Sequence, residues 1–171
     1  MSMTVQTMRE RLSVPVLGVA GLVGGAAAVA YGFKPDSVLH APDFSLLLGQ
    51  PAVLQAHVLA AVAAFALGVA MFVSRKGARF HRTAGWVWVI LMAVVAGSSL
   101  VITTINPGHF SLIHLLSAFT LLVLPLAVIA ARRHEVANHR RRMTGLFLGG
   151  MIFAGAFTFL PGRLMWMIFF R

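Results

Sequence analysis

PAVLQAHVLAAVAAFALGVAMFV, residues 51–73, runs straight into SRKGARFHRTAG, residues 74–85. The first string carries no ionisable group except His57 and is long enough to cross a hydrocarbon core of about 30 Å. The second is dense in arginine and lysine, which hold the end of a membrane helix at the headgroups. In lipid such a run has to satisfy its own backbone groups, so it is read as a helix. The alternation recurs along the 171 residues, of which 59% are hydrophobic and 11% charged. A soluble core of this length cannot hide that much apolar surface, and the fold class is therefore all-α integral membrane.

Working outward from residues 51–73, the pattern predicts five transmembrane helices in a single membrane domain covering residues 1–171. They fall at about 14–33, 51–73, 86–105, 110–131 and 144–160. Arg9, Glu10 and Arg11 before an apolar run containing Ala26, Ala28 and Ala30 resemble a secretory leader, but the run is longer than a signal core and is read as a retained first helix. Gly21 and Gly25 give that helix a small-xxx-small face. Pro51 suits the first turn of the second helix, and Asn106-Pro107-Gly108 ends the third. Pro125 inside the fourth predicts a kink, and Pro161-Gly162 interrupts the fifth before an apolar tail. Short connections make helices two to five an up-and-down four-helix bundle, with the first helix peripheral.

Charge sets the expected orientation. With the N-terminus inside, the inner segments hold Arg9, Arg11, Arg75, Lys76, Arg79, Arg82, Arg132, Arg133 and Arg140 to Arg142, against Lys34, Arg163 and Arg171 outside. This predicts a bacterial cytoplasmic membrane protein with its C-terminus outside. The net charge of +10 is clumped between apolar runs, where it orients helices, so nucleic acid is excluded as a partner. No cysteine is present, so thiolate metal sites and c-type haem attachment are excluded too. Glu10, Asp36, Asp43 and Glu135 all fall outside the predicted spans, which disfavours a proton-coupled transporter, and no HExxH, phosphate loop or Ser-His-Asp arrangement occurs.

Helices two and three, residues 51–105, overlay helices four and five, residues 110–160, as a parallel repeat. His57 to His81 is 24 residues and His114 to His139 is 25; His57-Val58-Leu59 matches His114-Leu115-Leu116, and His81-Arg82 matches His139-Arg140. Lys76-Gly77, His81-Arg82, Gly85-Trp86, Ile113-His114-Leu115-Leu116 and His139-Arg140-Arg141-Arg142-Met143 together resemble a family of small bacterial integral membrane proteins known only as a predicted domain of unknown function. The resemblance covers roughly the last two thirds of the chain, an estimate from the spread of the motifs. It implies a membrane fold and no particular activity. The Leu160-Pro161-Gly162-Arg163 ending departs from it, since many members carry the arginine without the Pro-Gly.

The histidines carry the functional expectation. His57 lies six residues below Pro51 and His114 four below Phe110, roughly 6 to 9 Å beneath the helix tops at about 1.5 Å per residue. An imidazole in hydrocarbon is costly unless it has a partner. Two facing imidazoles can ligate the iron of one b-type haem, with Ala61, Ala64 and Gly68 leaving room for the macrocycle. The plainer reading is that these histidines bond Gln55, Ser117 or backbone carbonyls and hold helices together. His81 and His139 resemble, in their order on helices three and five, the second ligand pair of diheme four-helix transmembrane b-type cytochromes. With helix three starting at Trp86, however, they fall among arginines near the headgroups, and lipid phosphate contact is the favoured reading. His40, His109 and His134 are expected in solvated loops. Arg163 is a lone cation near the outer surface, suited to a haem propionate, a quinone carbonyl or an anionic partner, or else to snorkelling. The expectation is a haem protein transferring electrons, with quinone as a partner; the alternative is a non-catalytic accessory subunit of a larger respiratory or photosynthetic membrane complex, bound to other membrane subunits. Whether it is an enzyme stays open.

Overall fold

The structure, a computed structural model, describes residues 38–102 and 112–170. The predicted first span, the Gly21 and Gly25 face, Asn106-Pro107-Gly108 and His109 lie outside the described residues. Among those described, the chain is helical: α1 (Ser45–Leu48), α2 (Ala52–Val73), α3 (Arg79–Ser99), α4 (Leu112–Arg132) and α5 (Val136–Gly145). A π-helical segment (Leu146–Phe153) prolongs α5 and leads into α6 (Ala154–Thr158), and α7 (Leu164–Phe169) follows. α2, α3 and α4 are each long and apolar enough to cross a membrane.

α2 begins where the sequence predicts. Pro51 is its N-cap, and its carbonyl accepts the first bonds from Leu54 and Gln55. At the other end the Lys76 ammonium donates to the carbonyls of Met71, Phe72 and Ser74 at 2.7, 2.8 and 3.1 Å, so a cation covers acceptors that the helix leaves open. Gly77, at φ 78°, then turns the chain in the left-handed region that glycine tolerates.

Two predicted spans need correction. α3 starts at Arg79 and not Trp86, and ends at Ser99 and not Ile105. The fifth predicted span starts at Val136 and not Thr144. In both cases the first turns are rich in arginine and histidine, which a hydropathy reading assigns to the loop. Long cationic side chains reach water while their helical backbone continues into apolar surroundings, and Ala84 is already buried. α4 passes through Pro125 as one helix.

α2 packs on α3, α3 on α4, and α4 on both α5 and the π segment, which closes back on α2. The result is a four-helix bundle in which α2 stands diagonally across from α4, and α3 across from α5 and its continuation. Trp88 and Met92 of α3, Ala64 and Met71 of α2, Leu124 of α4, and Leu146, Phe147 and Met151 of the π segment form its core. The Arg75–Arg82 and Arg132–Arg142 segments share one end, called here the basic end. At the opposite end α7 folds back onto the stretch leading into α1, with His40 N–H donating to Phe169 O and Asp43 N–H to Ile168 O.

Candidate functional site

His57 is the sixth residue of α2 and His114 the third of α4, so the diagonal helices bring both imidazoles to the end of the bundle opposite the basic one. His57 Nδ1 lies 2.9 Å from Ser98 Oγ on α3. The Ser98 hydroxyl gives its own proton to Val94 O at 2.6 Å, so His57 Nδ1–H is the donor and Nε2 keeps its lone pair. A histidine pinned through one nitrogen and basic at the other is the form that metal-ligating histidines take. His114 is 5% exposed. The buried residues near this pair are small or hydroxylic: Ala60 on α2, Ala96 and Ser99 on α3, Ser117 and Thr120 on α4.

Of the partners suggested by sequence, Gln55 and Ser117 do not hold His57, whereas a backbone carbonyl, that of Val95, contributes to holding it. Gln55 donates to Leu48 O and Gln50 O, and Ser117 donates to Ile113 O. Ser98, 41 positions away, takes that role. Nothing in the sequence singled it out, although a serine one helix turn from the end of an apolar span is a polar group needing a partner.

The stripe read as room for a macrocycle is not open along its lower part. Trp88 Nε1 donates to Ala64 O at 3.0 Å, and a Cβ on Gly68 would collide with the Phe147 ring and stand 3.1 Å from Trp88 Nε1. Small residues at helical spacing serve here as the groove for two aromatic side chains. Below Ala64, therefore, the stripe is occupied by side chains and leaves no open channel between α2 and its neighbours.

His81 and His139 lie inside helices, the third residue of α3 and the fourth of α5. His139 Nδ1 is 2.9 Å from Ala127 O; a carbonyl only accepts, so Nδ1 carries the proton and Nε2 is the open nitrogen. His81 has a buried Nδ1 without a hydrogen-bond partner among the described residues. Both residues therefore lie at the basic end, one on α3 and one on α5.

The remaining sites move from expectation in smaller ways. His40, expected in a solvated loop, is half-buried: its Nδ1–H donates to Ala41 O at 2.6 Å and its Nε2 is enclosed without a hydrogen-bond partner among the described residues. Packing of α7 against the α1 region encloses it, a contact far apart in sequence. Arg163 is half-buried at the N-cap of α7, where its carbonyl accepts Met167 N–H at 2.9 Å. His134 is exposed and takes a positive φ of 59° in the turn between α4 and α5. Among the described residues no group of three or more His, Asp or Glu could hold a metal ion, so any metal chemistry there rests on pairs.

These features define a helical membrane protein with histidines on both diagonals of a four-helix bundle. The chain belongs to the family described as "Predicted membrane protein (DUF2306)", whose model matches residues 54–170 and so takes in all four bundle histidines. No curated protein and no solved structure matches the chain.

Proposed function

We propose that this protein holds a b-type haem through His57 and His114 and passes electrons within the membrane, with quinone as a partner at the end where Arg163 lies. The observation that carries the reading is the pair itself: two imidazoles at one end of diagonal helices, His57 fixed by Ser98 with Nε2 left basic. The haem supplies a one-electron couple, and two imidazole ligands leave no coordination position for oxygen. His81 and His139 stand where a second, less favoured ligand pair falls, and the register of the four histidines supports the internal repeat.

The core between the two histidine levels favours electrons over ions. Trp88, Met92, Leu124, Phe147 and Met151 form a buried apolar layer there. Water and ions are held back by such a layer, as in a hydrophobic constriction. Electron transfer through packed aromatic and aliphatic side chains needs no water. The filled groove at Gly68 and the broad apolar exterior, with Leu59, Val62, Leu115 and Leu122 all more than 60% exposed, favour a second reading, an accessory subunit that packs against other membrane proteins.

One experiment separates them. Expressed with ample haem and purified, the protein is expected to show the reduced-minus-oxidised bands of a low-spin b-type haem, lost in His57→Ala and in His114→Ala. A colourless protein under those conditions leaves the accessory reading.

A further inference from the structure

Between Arg75 and Arg142 the chain carries nine arginines and lysines and one carboxylate, Glu135. Glu135 accepts from Asn138 Nδ2 at 2.8 Å. Lys76 is spent on the carbonyls that end α2. Two other cations are held in place by neutral groups on either flank of α4. On the α3 side, Arg132 lies 5.7 Å over the Trp86 ring, which is half exposed. On the α5 side, Arg142 Nη1 donates to Leu126 O at 2.6 Å. Between them runs the outward face of α4, where Leu122, Leu126 and Ile129 are exposed.

Neither arrangement neutralises its charge. A guanidinium stacked on an indole keeps its edge N–H groups, and one that gives a single N–H to a carbonyl keeps the others. Both long side chains have already lost rotamer freedom, so an incoming anion meets donors whose ordering it does not have to supply. The apolar face between them, next to an interfacial tryptophan, is a surface for acyl chains. Basic pockets between membrane helices are where anionic headgroups settle.

We infer that Arg132 and Arg142 clamp the phosphate of an anionic phospholipid whose chains lie along the outward face of α4, a binding site separate from the histidine pairs. Inorganic phosphate shares the headgroup chemistry and lacks the chains, which makes it the discriminating probe.

The test uses the full chain in micelles of equimolar phosphatidylglycerol and phosphatidylcholine, with bound lipid read by native mass spectrometry. Phosphatidylglycerol is expected to be retained over phosphatidylcholine, and to raise the melting temperature when titrated into protein held in phosphatidylcholine alone. Each of Arg132→Gln and Arg142→Gln should weaken retention about fivefold. The double variant Arg133→Gln/Arg140→Gln, which removes twice the charge of either single variant from the same end, should retain lipid as the parent does. Equal retention of the two lipids, equal loss in the control variant, or the same thermal protection by inorganic phosphate alone would each overturn the assignment. If Arg132→Gln does not fold, the Arg142→Gln comparison and the parent's titration decide it.

Discussion

At the scale of single residues, Gly68 and Gly150 make opposite predictions from similar sequence surroundings. A Cβ at Gly68 collides with a Phe147 ring that is itself held between Phe65, 5.9 Å away, and Phe72, 5.0 Å away. Gly68→Ala is therefore expected to cost about 1–3 kcal/mol, the usual range for overpacking a filled core. At Gly150 the nearest atoms to a Cβ are Met92 Cε at 3.4 Å and Thr120 Oγ1 at 3.7 Å, ordinary contacts, so Gly150→Ala should be close to neutral. Thermal unfolding in detergent compares the two, and Phe147→Leu should relieve the Gly68 variant if the clash is its cause. The stripe of Ala61, Ala64 and Gly68 was legible in the sequence as small. Its occupants were not, because a groove that accepts an aromatic ring and a gap that accepts a cofactor look alike from one helix. The depth of His57 was legible for the opposite reason, since it needs only the distance to the helix start at Pro51, whereas Phe110, from which the depth of His114 is counted, lies outside the described residues. Ser98→Ala tests the partner that sequence missed. Removing it takes one partner from a half-buried His57 that keeps the Val95 carbonyl, at about 0.5–1.5 kcal/mol for one lost hydrogen bond. If haem is bound, loss of such a supporting contact lowers affinity about 10- to 100-fold.

At the scale of elements, the apolar interiors of the spans were readable and their basic ends were not. Arg79, His81 and Arg82 belong to the first turn of α3, and His139 to Arg142 to α5, although composition alone places them in loops. Extending α5 down to Val136 is what lets His139 and Arg142 reach the Ala127 and Leu126 carbonyls of α4. The π segment from Leu146 to Phe153 left no mark that a 3.6-residue period detects, since its widened turn is a matter of hydrogen-bond register and not of composition. Lys76 gives this scale its prediction. Its ammonium meets three carbonyls at the end of α2, of which only Met71 O has a second side-chain donor, the Ser74 hydroxyl at 3.0 Å. Lys76→Met should lower the melting temperature by an amount equivalent to about 1 kcal/mol, near the upper end for a cation at a helix terminus. Lys76→Arg should recover part of it, whereas full stability in the methionine variant would mean that headgroup water serves the carbonyls equally well.

At the scale of the molecule, the expected topology follows from the arrangement of the two ends. The turn at Gly77 and the turn at His134 both lie at the basic end, separated by α3 and α4 running out and back. Pro161-Gly162 and α7 lie at the other end, where Leu39 bridges to Phe170 and closes the C-terminal segment onto the α1 region. If arginine and lysine hold the basic end in the cytoplasm, a reporter enzyme that works only outside the cytoplasm should be silent when fused after Gly77. It should be active when fused after Gly108, or after Arg171 through a flexible linker that leaves the Leu39–Phe170 contact intact. A fusion after His134 adds an internal check, because it shares an end with Gly77 and has to share its silence. Activity at Gly77 and His134 with silence at Arg171 would invert the orientation while leaving the bundle untouched, and would move the His57 and His114 pair to the cytoplasmic side. Disagreement between Gly77 and His134 would be a deeper failure, since it would mean that α3 and α4 do not both cross.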